Sequence, residues 1–199
     1  MSEPVIRSEP VIPSPITPNP ITPNAITPNA DAVNLVSYDI GKNRDRHIRF
    51  MRQTLDILTH LLAPVSQETA TTLRDAHDGD QGWCVLEVLC HLRDFDNIFR
   101  MRAKIMRYQD YPTLPARDHH LFAFQGKYME QQLVQVLQEF THSRLSTIYF
   151  FEHLTDDLWQ RAALHPERGH FTMVDAALQV GLHDVIHIEQ ITRILYHNE

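Results

Sequence analysis

Between Thr172 and Tyr196, the residues Met173, Ala176, Val180, His183, His187, Gln190 and Ile194 recur every three or four positions. That period places them on one stripe of an α-helix, and the stripe carries two histidines. Side chains four apart on a helix share a face, with Cβ atoms about 5–6 Å apart, so His183 and His187 are placed to converge on one metal ion. Small and apolar neighbours flank the pair, which therefore faces the interior of a helical bundle. An open metal site takes at least three protein ligands, and the best-placed third is His91 on an earlier helix. Thr172 and Asp175 resemble a capping box that starts the segment. At about 1.5 Å per residue the helix runs roughly 37 Å.

Three further segments repeat the same period. Ile48, Met51, Leu55, Leu58 and Leu62 predict an amphipathic helix over about Arg44 to Leu62, stopped by Pro64. His47 and His60 lie on it as surface or packing histidines. Residues 65 to 81 are polar and end in the turn signal Asp78-Gly79-Asp80-Gln81-Gly82. From Trp83 to about Tyr108, Cys84, Val85, Val88, Leu92, Phe95, Phe99 and Met106 form one broad arc. His91 sits at its edge, with Glu87 and Asp94 a turn to either side. A connection with Pro112, Pro115 and the pair His119-His120 leads to a third helix, expected over Gln125 to His153. A shorter excursion, Thr155 to His170, precedes the last helix. Four such helices without an alternating strand pattern predict an all-α fold, a four-helix bundle.

The first 40 residues obey different rules. Ile-Thr-Pro-Asn occurs three times, from Ile16, Ile21 and Ile26. Proline at that frequency removes backbone donors and fixes φ, which excludes helix and central strand. Residues 1–40 are therefore expected to be a disordered, low-complexity tail, and 41–199 the bundle. The formal charge is −7, which disfavours nucleic acid, whose binding needs a basic face. No apolar run approaches the ~20 residues that a membrane span requires, and the N-terminus lacks the charge and apolar core of a signal peptide. The two cysteines, Cys84 and Cys90, leave opposite sides of one helix and cannot bond to each other. Free thiols in a reducing compartment, hence a cytoplasmic location, are the expectation.

The stretch Gly82-Trp83-Cys84-Val85-Leu86-Glu87-Val88-Leu89-Cys90-His91-Leu92-Arg93-Asp94 resembles the second-helix signature of the DinB-like and YfiT-like family. His183-Asp184-x-x-His187-x-x-Gln190 resembles its closing motif, and a His-Pro-x-x-Gly segment (His165, Pro166, Gly169) falls between them in the family's order. The resemblance spans about residues 44 to 196. It implies a four-helix bundle, often a homodimer, holding a divalent metal (zinc, nickel or iron) on His91, His183 and His187. It also implies chemistry on a small-molecule substrate, either thiol S-transfer with a low-molecular-weight thiol such as bacillithiol or mycothiol, or hydrolysis. Cys84 departs from the pattern, where Ser or Thr would cap the helix.

Several polar residues remain open to two readings. Asp184 falls within the apolar arc, where a carboxylate is costly unless paired. It could fix an imidazole or form an interhelical salt bridge to an arginine. Asp94 and Asp184 are candidate proton acceptors, and Gln190 a candidate hydrogen-bonding partner of ligand or substrate. The leading reading is a metal-dependent transferase or hydrolase; the alternative is a non-catalytic metal- or small-molecule-binding bundle.

Overall fold

A computed structural model describes residues 40–77, 82–116, 123 and 125–196. The repeat tract, the turn at 78–81 and the pair His119-His120 lie outside the described residues. Four long helices carry the fold: α1 (Ile40–Leu62), α3 (Val85–Tyr108), α4 (Leu133–Glu152) and α6 (Met173–Tyr196). Helix α3 packs against α4 and α6, and α1 packs against the same two, so the four close into a ring.

Local chemistry explains the helix starts. The Thr172 hydroxyl accepts from the Asp175 backbone N–H at 3.1 Å, while the Asp175 carboxylate accepts from the Thr172 N–H at 2.8 Å. This reciprocal pairing satisfies two donors that a helix start leaves open. At α3 the cap is Cys84, and Glu87 returns to accept its backbone N–H at 3.0 Å. Glu87 also pairs with Arg74 at 3.1 Å, so this carboxylate anchors the helix entry.

The structure corrects the sequence reading in three places. The polar stretch after Pro64 contains a short helix, α2 (Gln67–Thr72), capped by the Ser66 hydroxyl. The third long helix starts at Leu133, later than Gln125, because Lys127 adopts a left-handed conformation (φ 46) and a 3₁₀ turn follows over Tyr128–Glu130. The excursion after α4 holds a short helix, α5 (Asp156–Trp159), and a hairpin of β1 (Ala162–His165) with β2 (Gly169–Thr172). Strands of four residues are too short to show an alternating pattern. The hairpin pairs Ala162 with Thr172 and His165 with Gly169, and Gly169 supplies the positive φ of 72 that the turn needs.

The apolar interior falls into two clusters. One gathers Met51, Phe99, Ile148, Phe151, Trp159, Phe171 and Val180 on the hairpin side. The other gathers Leu58, Leu89, Leu92, Phe140, Ile191 and Ile194. Buried polar residues come at mid-helix in all four long helices: Thr54 on α1, Asp96 on α3, Ser143, Arg144 and Thr147 on α4, and Asp184 on α6. They form one polar stratum across the bundle. Arg144 donates from Nε to Asp96 Oδ1 at 2.6 Å and from one terminal nitrogen to Asp184 Oδ1 at 2.8 Å. Its other terminal nitrogen pairs with Asp184 Oδ2, which also accepts from the Thr54 hydroxyl at 2.5 Å. Ser143 and Thr147 donate to Asp96 Oδ2 at 2.6 and 2.8 Å. Burial works against the Arg144 charge, but Asp184 and Asp96 outweigh it and hold its pKa above the usual value.

Candidate metal centre

The histidines meet at the edge of this stratum. His91 comes from α3, just over one turn before the buried Asp96, and His183 and His187 come from consecutive turns of α6. One ring nitrogen from each lies within 4.8 Å of the others. His91 Nε2 and His183 Nε2 are 3.0 Å apart. Two imidazole nitrogens on one ion at ~2.0–2.1 Å stand roughly 3 Å apart, so that pair already has the spacing of ligands.

Aromatic side chains wall the cluster. Phe95 lies with ring centroids 4.2 Å from His91 and 5.3 Å from His183. Phe99 meets His183 edge-on at 5.1 Å, and Trp83 meets His91 at 5.1 Å. This apolar setting opposes protonation of the two α6 rings. Burial, then the neighbouring His187 and His91, push His183 down to about 2. Burial lowers His187 as well, partly offset by its hydrogen bond to Gln190 and by Asp184. A neutral imidazole offers the lone pair that a metal needs. The all-imidazole donor set fits zinc, iron or nickel and suits magnesium or calcium poorly.

The other residues singled out in the sequence are spread around this cluster. Gln190 Oε1 lies 2.8 Å from His187 Nδ1, so this side chain holds a histidine of the cluster. Both Asp184 oxygens are taken by Arg144 and Thr54, which makes it the interhelical ion pair. Asp94 accepts from Arg93 Nε at 2.9 Å and from the Tyr128 hydroxyl at 2.7 Å. His47 is buried and His60 exposed, and both stand on α1. His165 lies in the hairpin, where Arg102 donates to its Nε2 at 3.1 Å. Cys84 and Cys90 are buried free thiols.

One residue of the site escaped the sequence reading altogether. Asp75, after α2, accepts from Gln190 Nε2 at 3.1 Å and pairs with Arg193. Nothing in its neighbourhood is periodic, so no pattern flags it. Arg144, by contrast, left a trace: it interrupts the stripe Phe140, Ile148, Phe151 on α4.

No helix among the described residues is long and apolar enough to cross a membrane. Solved structures share the fold. YfiT from Bacillus subtilis, described as a probable metal-dependent hydrolase with an unusual four-helix bundle topology, superposes with a TM-score of 0.67 at 20% identity, covering 76% of this chain and 85% of that one. The mycothiol-dependent maleylpyruvate isomerase superposes with a TM-score of 0.63 at 9% identity, covering 74% of this chain and 60% of that enzyme. No curated protein sequence matches the chain. The sequence profile of the DinB superfamily matches residues 48–191, and the chain belongs to that superfamily.

Proposed function

We propose that His91, His183 and His187 hold one divalent metal ion and that this centre acts on a small molecule, by hydrolysis or by transfer of a low-molecular-weight thiol. The carrying observation is the meeting of three imidazoles from α3 and α6 within 4.8 Å. Three protein ligands leave part of the coordination sphere for substrate, unlike a closed structural site. A bound divalent ion supplies Lewis acidity and lowers the pKa of a coordinated water or thiol. The chain's own residues orient the rings: Phe95 and Phe99 pack against His183, Trp83 against His91, and Gln190 holds His187. The described neighbours, a probable metal-dependent hydrolase and a mycothiol-dependent isomerase, support this range of chemistry. Both cysteines are buried, so a transferred thiol comes from the substrate side.

The test is metal analysis of untagged protein beside His183→Ala. About one equivalent of divalent metal in the parent, lost in the variant, is expected; equal content in both refutes the reading. The metal-loaded protein is then offered bacillithiol, mycothiol or glutathione with an electrophile, and ester and amide substrates. Turnover in one arm names the reaction class. Silence in all arms with tight metal retention favours the binding module. Leu182, Val185 and Ile186 stand exposed on α6 at 49, 45 and 64%, and this apolar face supports pairing of two copies.

A further inference from the structure

The Asp75–Gln190–His187 chain has a direction that geometry dictates. A carboxylate paired with a guanidinium has only acceptor sites to offer. Asp75, buried and bound to Arg193, therefore compels Gln190 to turn its amide NH₂ toward it, at 3.1 Å. The Gln190 carbonyl oxygen is then the group 2.8 Å from His187 Nδ1, and a carbonyl oxygen only accepts. His187 must carry its proton on Nδ1, which leaves the Nε2 lone pair for the cluster.

We infer that Asp75 is a positioning residue: its negative charge, relayed through Gln190, sets the tautomer and ring orientation of His187 for metal binding. The inference rests on the three-histidine reading of the centre. Asp75 is itself held from several sides. The His77 backbone N–H donates to its Oδ1 at 3.1 Å, and its own N–H donates to the Trp83 carbonyl at 3.0 Å. Trp83 meets His91 edge-on. The segment before α3 thus touches two of the three histidines, His91 through an indole ring and His187 through the relay. Partners that orient a ligating imidazole affect metal affinity by about 10–100-fold.

Asp75→Asn tests the direction of the relay with almost no change of shape. The introduced carboxamide keeps its oxygen on Arg193 and His77 and presents an NH₂ to Gln190. Gln190 must then flip and donate to His187 Nδ1, which moves the imidazole proton to Nε2. Long-range ¹H–¹⁵N spectra of the metal-free, full-length protein read this directly. The parent is expected to show His187 protonated on Nδ1, and Asp75→Asn on Nε2. Zinc affinity, from competition with a chromophoric chelator, is expected to fall about 10–100-fold in the variant. Gln190→Met, which breaks the relay but spares the Asp75–Arg193 pair, covers the case in which Asp75→Asn does not fold. It should lose the Nδ1 preference and weaken zinc similarly. An unchanged tautomer and unchanged affinity in these variants, with zinc lost in His183→Ala, overturns the relay and leaves the metal centre standing. Equal zinc binding by the parent and His183→Ala overturns the metal reading, while the tautomer still reports on the relay.

Discussion

Replacing Arg144 with methionine is the sharpest test of the buried stratum. The side chain is 1% exposed and serves two carboxylates, Asp96 and Asp184, whose side chains are fully buried. Methionine fills nearly the same volume, so the cavity contribution is small and charge dominates. Without the guanidinium, Asp184 keeps the Thr54 hydroxyl, and Asp96 keeps those of Ser143 and Thr147. Removing one partner of a buried ion pair costs roughly 3–5 kcal/mol. One cation here neutralises two anions, so the upper end, about 5 kcal/mol, is expected. That is comparable with the whole stability of a small domain, ~5–15 kcal/mol.

Urea unfolding followed by circular dichroism at pH 7.5 measures the loss. A loss below about 1 kcal/mol at pH 7.5, the size of a surface ion pair, would refute the buried triad.

Metal-free protein should lose stability as pH falls. The unfolded chain takes a proton on His183 near the ordinary value of 6.5, whereas the folded ring resists until about 2. The contribution is complete above 6.5 and drains away below it, by at most about 1.4 kcal/mol per pH unit, less for a ring with some solvent contact. An equal urea midpoint at pH 7.5 and 5.5 in chelator-treated protein would oppose this. Burial pushes the Cys90 thiol up to about 12, and Cys84 is buried in the same core cluster. Neither thiol of the native protein should therefore react with Ellman's reagent until it unfolds; prompt labelling at pH 8 refutes it. If two copies pair through the exposed α6 face as proposed, the parent runs as a dimer by light scattering and Ile186→Glu as a monomer, with helicity and metal content unchanged; equal mass for both refutes the pairing.

What the sequence made legible was whatever repeats along one helix. The stripe from Met173 to Ile194 set α6, its two histidines and its capping box, because helical period and cap chemistry are local. His91 could be placed at an arc edge for the same reason. Asp75 could not, since its partner Gln190 lies 115 residues away and its own segment has no period. The hairpin was hidden by strand length. Asp184 was half legible: its place in the apolar arc demanded a partner, yet only the packing of α4 on α1 and α3 supplied Arg144. Arg144, Asp96 and Asp184 each break an apolar stripe, and a buried acid on two helices with a base on a third is a pairing that reading the helices one by one cannot make.

The stratum also bears on the site, since apolar packing alone tolerates sliding. A helix shifted by one turn moves ~5.4 Å and can still bury leucines against leucines. It cannot still place Asp184 on Arg144 while Arg144 holds Asp96. Asp184 follows His183 directly on α6, and Asp96 lies five positions after His91 on α3. The triad therefore fixes the register of the two helices that present the histidines. Replacing all three charges together, Arg144→Met with Asp96→Asn and Asp184→Asn, separates register from stability. What makes Arg144→Met costly is the uncompensated buried charge it leaves; the two Asn remove that charge, so much of the loss should return. Zinc affinity should not return with it, because no ion pair then links α6 to α3 through Arg144. A triple variant that regains stability and binds zinc like the parent would show that leucine and phenylalanine packing sets the histidine spacing by itself.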